Sequence, residues 1–482
     1  MSLSSAIDAA RTGLQINGLR ADIVANNVAN ASTPGYVRRA LVVSEQLVAG
    51  DSNGVRAEGI ARSQDAVLTA QRRGASSDLA QANVLSSAWQ TISARLGDTA
   101  EGTGLFQHFA DFERGLRNAV AAPESSADLN TTLSAAKAII GEFRALTDMV
   151  SNQRKEADRA ISDGVLEVNA ALKDIERLNG EIASAGEFSS RAAGLTDERQ
   201  RALDTVSEYM PLQVIERDRG RVDVLTQEGV FLVAGTAKQL DFDVSTAFQA
   251  GQTVETGDLS RLTVDGVDLT PGATSYGAVS SGLFGALFTL RDQDLPDFQA
   301  QLDTLAGDLI SRLSDDSIDP TKTPGDPGLF VDSAGTGDPG LAGRIALNPA
   351  VDPAQGGAAW RLRDGLAAGA PGPTGYADIL SGLLDAMTAV ETIDQNGIQG
   401  AFSTTEMVGH FASLTGQKRV GYDAVLSSTT AQHTMLRDAE QAKTAVDTDA
   451  EMQDLLLIEQ AYAANARVIQ VANEMLNRLM EL

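Results

Sequence analysis

Residues 455–482 read LLLIEQAYAANARVIQVANEMLNRLMEL, and the apolar spacing in this stretch predicts the architecture of the whole chain. Counted in alternating steps of three and four, one line carries apolar residues at seven of eight positions, with a single asparagine among them. The line consists of Leu455, Ile458, Tyr462, Asn465, Ile469, Ala472, Leu476 and Leu479. A repeat that averages about 3.5 residues is typical of a coiled-coil seam. The stretch therefore predicts a long helix that buries one narrow face against another helix.

The first thirty residues carry a matching seam. Counted in steps of four and three, it again has seven apolar positions and one asparagine: Leu3, Ile7, Ala10, Leu14, Asn17, Ala21, Val24 and Val28. An isolated helix of this length is marginal in water. Each buried Leu or Ile stabilises by roughly 1.5–3 kcal/mol once it finds a partner surface. The simplest partner for one end is the other end, with Asn17 and Asn465 setting the register. The alternative is two ordinary terminal helices that pack separately.

The stretch ANNVANASTPGYVRRA, residues 25–40, predicts an abrupt helix end followed by a rigid turn. Asparagine tolerates the left-handed conformation at a helix C-terminus, and Pro-Gly suits the centre of a type II turn. Side-chain amides both donate and accept hydrogen bonds. Three exposed asparagines exceed what a helix end requires, so the stretch predicts a surface that contacts copies of the same chain. The predicted interface residues here are Asn26, Asn27, Asn30, Thr33, Pro34, Gly35, Tyr36 and Arg38.

Composition limits the possible partners. The chain has 482 residues and a formal net charge of −27, which argues against nucleic acid and against an anionic membrane surface as partners. There is no cysteine, so disulfides and thiolate chemistry are excluded. The start lacks the basic and apolar regions of a cleavable signal, and no apolar run is long enough to span a bilayer. We expect a cytoplasmic protein, or one exported without a cleaved signal.

The middle of the chain alternates between helical and strand patterns. Residues 123–185 have stripes typical of a long helix, with possible bends at Gly164 and Gly180. From residue 211 short antiparallel strands are indicated, residues 283–315 return to helix, and residues 316–376 hold eight of the 13 prolines. Together these patterns predict an elongated, mainly α protein with a β-rich outer part. Its predicted domains are paired terminal helices (1–40 and 441–482), a helical bundle (41–211, 283–315 and 377–440) and an outer domain (212–282 and 316–376).

A search for chemistry finds no candidate catalytic, cofactor or metal residues. The three histidines, His108, His410 and His433, have no mutual motif spacing. The phosphate-binding Gly-x-x-x-x-Gly-Lys-Ser/Thr loop is absent, and GAVSSGLFG does not fit a nucleophile elbow. The sequence therefore predicts no enzyme and no cofactor.

Both ends resemble flagellar axial proteins, the rod, hook and hook-associated proteins. ANNVANASTPGYVRR is similar to their N-terminal signature, and EQAYAANARVIQVANEMLNRLMEL is similar to their C-terminal helix. SNGVRAEGIARSQDAVLTAQRRGASSDLAQAN, and a Leu-x-Asp-x-Arg run within GLTDERQRALD, resemble the hook-associated protein 1 family. The resemblance covers roughly residues 1–315 and 377–482, and SDDSIDPTKTPGDPGLFVDSAG departs from it.

The resemblance implies a junction between hook and filament, located outside the cell on the flagellum. It implies export by the flagellar type III apparatus and assembly as a ring of identical subunits. The implied partners are the hook protein, a second hook-associated protein, and an export chaperone that covers Leu455, Ile469, Leu476 and their neighbours. Two alternatives stay open: a hook or distal-rod protein, and a secreted enzyme on an axial-protein scaffold.

Overall fold

The computed structural model describes residues 3–33, 35–48, 51–97, 102–186, 189–246, 248–337 and 339–480. Within these ranges the chain is mostly helical, with small antiparallel sheets. The helices are α1 (Leu3–Asn30), α2 (Ala66–Leu96), α3 (Gly104–Ala121), α4 (Ser126–Ala185), α5 (Ser190–Tyr209), α6 (Gly282–Thr289), α7 (Leu295–Arg312), α8 (Leu341–Arg344), α9 (Arg361–Asp364), α10 (Asp378–Thr388), α11 (Thr404–Thr444) and α12 (Thr448–Met480).

The strands form five separate antiparallel sheets within the described residues. The strands are β1 (Arg39–Val48), β2 (Asp51–Arg62), β3 (Leu212–Glu216), β4 (Val222–Thr226), β5 (Phe231–Ala234), β6 (Thr236–Ala237), β7 (Leu240–Asp241), β8 (Thr263–Val264), β9 (Val267–Asp268), β10 (Phe330–Asp332), β11 (Ile345–Leu347), β12 (Glu391–Gln395) and β13 (Ile398–Phe402). β3–β6 pair in chain order, as do β7–β9, and the pairs β1–β2, β10–β11 and β12–β13 are two-stranded.

Helix α4 is the central element of the helical part of the molecule, because α3, α5, α6 and α7 all pack on it. It runs unbroken for 60 residues, and the predicted stripe from Ile139 to Ile182 lies inside. Ser125 caps its start by accepting from the Asp128 N–H at 3.2 Å. One continuous cluster of buried side chains joins this helix to α2, α3, α7, α10 and α11 and to every sheet except β1–β2.

Helix α4 continues without a break through Gly164 and Gly180, the two positions where the sequence had suggested bends. At Gly164 the close approach of another element explains the residue. A Cβ added there would lie 2.5 Å from Cε1 of Tyr209, at the end of α5. The glycine therefore permits tight packing, at the helix-propensity cost that any interior glycine carries.

Two β-hairpins lie where the sequence had predicted only helical bundle. β1 and β2 pair along residues 39–62, with irregularities after Val42 and after Glu45. The second hairpin, β12–β13, turns through Asn396 and Gly397, whose φ angles are 50° and 82°. Positive φ at both central residues is the signature of a type I′ turn, which matches the twist of the strands. Residues 41–62 and 391–402 therefore correct the predicted bundle boundaries.

The remaining coarse predictions agree with the structure. The strands predicted from residue 211 are present from Leu212 onward. Residues 282–312 are helical through a short π-helical turn at 290–294, and residues 316–376 hold one two-stranded sheet and short helices. Among the described residues, no helix combines the length and apolar character needed to cross a bilayer.

Candidate functional site

The two terminal helices pack against each other, and α1 also packs on the β1–β2 hairpin. On α1, the predicted seam residues Ala10, Asn17 and Val24 are buried, while Ile7 and Leu14 are partly buried. Val28 is exposed, and the side chain of Leu3 lies outside the described part of the structure. Most of the predicted seam residues of α1 therefore lie on the buried face of this helix.

Helix α12 buries much less of its predicted seam. Ala472 is buried, and Leu455, Ile458, Asn465 and Ile469 are partly buried. The seam positions that stay exposed are Tyr462 (50%), Leu476 (38%) and Leu479 (65%). The apolar residues exposed off the seam are Met452, Leu456, Leu457, Val468, Val471, Met475 and Met480. This set, together with the three exposed seam residues, is called the α12 apolar surface below. Exposed apolar patches of this kind are typical of interaction sites.

The two seam asparagines do not pair as expected. Asn465 faces Gly13, because a Cβ added to Gly13 would lie 2.7 Å from Nδ2 of Asn465. Asn17, one turn further along α1, is only 6% exposed. Across the residues that the structure places, no hydrogen bond joins the two amides. The register of the two helices is therefore marked by Asn465 packing against Gly13, because a glycine has no side chain and leaves room for the amide.

Asn27 is the centre of a polar junction rather than part of an exposed stripe. It is 1% exposed, so the expectation that it faces solvent is wrong. Its Nδ2 donates to the Arg39 carbonyl at 2.9 Å and to Oε2 of Glu451 at 3.0 Å. Its Oδ1 accepts from the Tyr36 hydroxyl at 2.8 Å and from the Arg39 N–H at 3.1 Å. Because both polar atoms are fully used, this one amide joins α1, the turn, β1 and α12.

The buried carboxylate of Glu451 receives a second partner from the turn. Nε of Arg38 donates to its Oε1 at 2.6 Å, and the NH2 group of Arg38 reaches Asp454 at 3.1 Å. The Arg38 N–H also donates to the carbonyl of Thr444, the last residue of α11, at 2.9 Å. Arg38, predicted as an interface residue, thus connects the turn to both sides of the break between α11 and α12.

Asp197 connects this junction to the helical body. It lies on α5, is 4% exposed, and pairs with NH2 of Arg39 at 2.8 Å and NH2 of Arg62 at 2.6 Å. Those two arginines stand at the open end of the β1–β2 hairpin, where they are cross-strand partners. A single buried carboxylate therefore pairs with both of the charges that the hairpin brings together and reduces their mutual repulsion.

Tyr36 packs its ring under Arg39, whose guanidinium carbon lies 4.7 Å from the ring centre. Burial raises the pKa of the Tyr36 hydroxyl, and the negative charges of Asp197 and Glu451 raise it further. The positive charge of Arg39 acts in the opposite direction, but the net shift of the pKa is upward. The phenol therefore stays protonated and donates to Asn27.

The other predicted residues of the helix end make local contacts. Asn26 donates to the Asp22 carbonyl, Asn30 donates to the Asn26 carbonyl, and the Thr33 hydroxyl donates to Oδ1 of Asn30. These three side chains are exposed or half-buried, as an interface would require.

The predicted turn is present at Gly35. Gly35 has φ 75°, and the Tyr36 N–H donates to the Thr33 carbonyl at 3.1 Å, as the third residue of a type II turn requires. Pro34 lies outside the described residues.

A groove of about 430 Å³ opens beside the junction, between α1, β1 and α12. Its walls combine apolar side chains with the charged groups of the junction: Asn17, Arg20, Ile23, Val24, Arg38, Leu41, Glu451, Asp454, Leu457 and Ile458 are among them. The groove is continuous with the α12 apolar surface through Leu457. In the described residues no cluster of His, Asp and Glu has the arrangement of a metal site.

Sequence reasoning missed Glu451, Asp197, Arg39 and Arg62. Glu451 lies in the first turn of α12, four residues before the seam, and reads as an ordinary acidic helix start. Asp197 belongs to the Leu-x-Asp-x-Arg run that the sequence marked as a family feature without assigning it a role. The pairing of Asp197 with Arg39 and Arg62 can be recognised only once the β1–β2 hairpin is known to bring the two arginines together.

Comparison with known proteins gives matches to both ends and to the middle. A family model described as the flagellar hook-associated protein FlgK helical domain matches residues 89–319. Models for the basal body rod protein and for the C-terminal region of the basal body rod FlgEFG proteins match residues 7–36 and 441–482.

Curated relatives agree. Flagellar hook-associated protein 1 of Salmonella typhimurium is 26% identical over 313 residues, 63% of this chain and 55% of the relative. The Escherichia coli protein of the same name gives the same shares over 314 residues. This chain thus aligns with little more than half the length of these two relatives. The Bacillus subtilis protein is 23% identical over 513 residues, 98% of this chain and 97% of the relative.

A solved structure of the hook junction protein FlgK from Burkholderia pseudomallei is 22% identical, with a TM-score of 0.44, and covers 54% of this chain and 46% of that one. The three family models lie in the chain order that the sequence resemblance implied, and the curated relatives all carry one name. The chain is thus similar to flagellar hook-associated protein 1 in its middle and to flagellar rod proteins at both ends.

Proposed function

We propose that the protein is a structural subunit of the bacterial flagellum, placed at the junction between hook and filament. The observation that carries the proposal is the match of residues 89–319 to the FlgK helical domain, flanked by terminal segments that match flagellar rod proteins. The function is assembly rather than catalysis.

The terminal helices supply the assembly mechanism. In this proposal α1 and α12 form a coiled coil, and the α12 apolar surface is covered by neighbouring copies in a ring. Leu457, Tyr462 and Leu479 are each at least half exposed in the single chain. Burying the exposed part of such side chains is favourable, so the surface supplies a driving force for association. Asn26, Asn30, Thr33 and Gly35 lie at the end of the helix pair that adjoins the helical body, and they would contact the next subunit.

The proposed domains follow the contacts. The paired helices 1–40 and 441–482 would form the inner, axial part, since none of the side chains that the structure describes in them belongs to the continuous core cluster. Residues 41–211, 283–315 and 377–440, corrected for the two hairpins, would form the helical body. Residues 212–282 and 316–376 would face outward, and the acidic exterior would keep free subunits apart.

The proposed partners are copies of the chain, the hook protein, and a second hook-associated protein. A cytoplasmic export chaperone would cover the α12 apolar surface, of which Leu476 is a part, together with the partly buried Leu455 and Ile469, before export. We propose export through the flagellar type III apparatus without a cleaved signal, and a final location outside the cell.

A hook or distal-rod protein is the second candidate, favoured by the rod-protein models that match both termini. The 60-residue helix α4 lies inside the region that matches the hook-associated family, and this favours the junction role.

Deleting the gene in the source bacterium tests the proposal. Electron microscopy should show complete hooks without filaments, with filament protein released into the medium, and the full chain should restore attachment. Missing hooks would support the hook or rod alternative instead. Filaments of normal number on the deletion strain would overturn both structural roles.

A further inference from the structure

A pocket of about 270 Å³ lies between the end of β2, the start of α5 and the turn that joins β3 to β4. Four arginines line it, Arg62, Arg199, Arg217 and Arg221, together with one carboxylate in the described lining, Glu216. A concentration of positive charge of this kind stands out in a chain whose net charge is −27.

Two of the four arginines already have a carboxylate partner within the chain. Arg62 pairs with Asp197 at 2.6 Å, and Nε of Arg217 pairs with Asp223 at 2.7 Å. Asp197 is shared with Arg39, so Arg62 still contributes positive charge to the pocket.

Arg199 has no such counter-ion. It is 5% exposed, and its NH1 donates to Oδ1 of Asn179 at 2.9 Å and to the Gly220 carbonyl at 2.6 Å. Its buried Nε donates to no acceptor in the part of the chain that the structure describes. No described carboxylate lies within 4.0 Å of the guanidinium. Burial, reinforced by the positive charge of Arg62, lowers the pKa of Arg199 to about 10. A buried charge without a counter-ion is costly, and an anion in the pocket would remove that cost.

Arg221 supplies a second free charge at the mouth of the pocket. It is exposed, and its Nε donates to the Asp218 carbonyl at 3.3 Å. It too lacks a carboxylate within 4.0 Å among the described residues. Guanidinium groups bind planar and tetrahedral oxyanions through paired hydrogen bonds, and a pocket of this volume admits one such group.

We propose that this pocket binds a small oxyanion between Arg199 and Arg221. The chemistry has two sources, a free phosphate or the carboxylate of an Asp or Glu from a second copy of the chain. The site also explains the Leu-x-Asp-x-Arg run, because Asp197 holds the hairpin while Arg199, two residues on, lines the pocket.

Titrating the isolated full-length subunit with inorganic phosphate, at ionic strength held constant with chloride, tests the site. The unfolding midpoint should rise, and the rise should become proportional to the logarithm of the phosphate concentration above the Kd, as ligand binding to the folded state requires. Arg221→Gln should raise the apparent Kd at least fivefold. Arg219→Gln is the matched control, because it removes the same charge from the same exposed turn outside the pocket lining. It should leave the Kd within twofold. An unfolding midpoint that does not rise with phosphate, or that rises equally in all three proteins, would overturn the proposal.

Expressing Arg221→Gln in the deletion strain distinguishes the two sources, and this arm alone rests on the proposed function. Weaker filament attachment would assign the occupant to a second copy, and unchanged attachment would assign it to a free anion. The phosphate titration is made on the isolated subunit, so its outcome stands whether or not the flagellar role does.

Discussion

The side-chain amide of Asn27 donates a hydrogen bond to the carboxylate of Glu451, 424 residues away in sequence, across 3.0 Å. Both residues are at most 1% exposed. This contact joins the two terminal helices at the point where each leaves the helical body, so it controls how the helix pair is held.

Asn27→Ala is therefore expected to lower the free energy of unfolding by about 1–3 kcal/mol, because Glu451 and Tyr36 each lose a buried partner. Asn27→Asp should cost more, since it places a second carboxylate against Glu451. Denaturant unfolding of the full chain measures both. Asn26→Ala is the control, because Asn26 is exposed and bonds only within its own helix, and it should change stability by less than about 0.5 kcal/mol. Equal effects at positions 26 and 27 would contradict the junction.

Two glycines of α1, Gly13 and Gly18, allow the effect of the α1–α12 contact on stability to be measured apart from the effect of helix propensity. Gly18→Ala should stabilise the chain by about 1 kcal/mol, since alanine favours helix and nothing lies within 4 Å of the added Cβ. Gly13→Ala should lose most of that gain, because its Cβ would lie 2.7 Å from the Asn465 amide. In an Asn465→Ala background the two substitutions should become equivalent. The unfolding midpoints of the native chain, Gly13→Ala, Asn465→Ala and the double variant make a double-mutant cycle. If Gly13→Ala stabilises the native background as much as Gly18→Ala does, the result would argue against the contact.

The α12 apolar surface should matter for assembly and not for folding. Leu457→Asp, at a position 62% exposed, is expected to leave the unfolding midpoint of the subunit nearly unchanged and to abolish filament attachment in the complemented deletion strain. Leu166→Asp is the matched control, because Leu166 is 68% exposed on another helix, α4. It should support normal attachment. Loss of attachment with both variants would show that any exposed leucine is required, which the proposed interface does not predict.

Asp332 gives the clearest prediction of how the stability of the folded chain depends on pH. Burial opposes its ionisation, but the N–H groups of Ala334, Thr336 and Gly337 and the guanidinium of Arg344 outweigh it and lower the pKa of Asp332 well below its usual range. A carboxyl whose pKa is lower in the folded state stabilises fully above its unfolded pKa of about 3.9, and this stability is lost as pH falls below that value.

Asp332→Asn should therefore be less stable than the native chain at pH 7, and the difference should narrow below about pH 4. Thermal unfolding of both proteins between pH 7 and pH 3 measures it. A difference that stays constant over this range would show that the carboxylate charge plays no part.

Much of the helical framework could be predicted from local spacing. The stripes on α4 and the seam on α1 are properties of neighbouring residues, and the structure buries most of those side chains. The hairpin at residues 391–402 was missed although its Asn396-Gly397 pair is a strong turn signal, because the apolar residues on both sides had suggested continuous helix. The β1–β2 hairpin was missed because its strands lie between two strongly periodic helices.

The polar contacts were the least predictable part. Asn26, Asn27 and Asn30 are chemically identical, and their order along a helix does not reveal which of them is covered. Asn27 is buried because β1 and α12 both pass beside it.

By itself, the sequence determined where most helices form, which faces they bury and which known proteins the chain resembles, because these depend on residues close together along the chain. The tertiary structure alone decided that Glu451 meets Asn27 and Arg38, that Asp197 closes the hairpin, and that Arg199 lines a pocket without a counter-ion. Charge pairing depends on distance in space, and only the folded chain brings those groups within a few ångströms of one another.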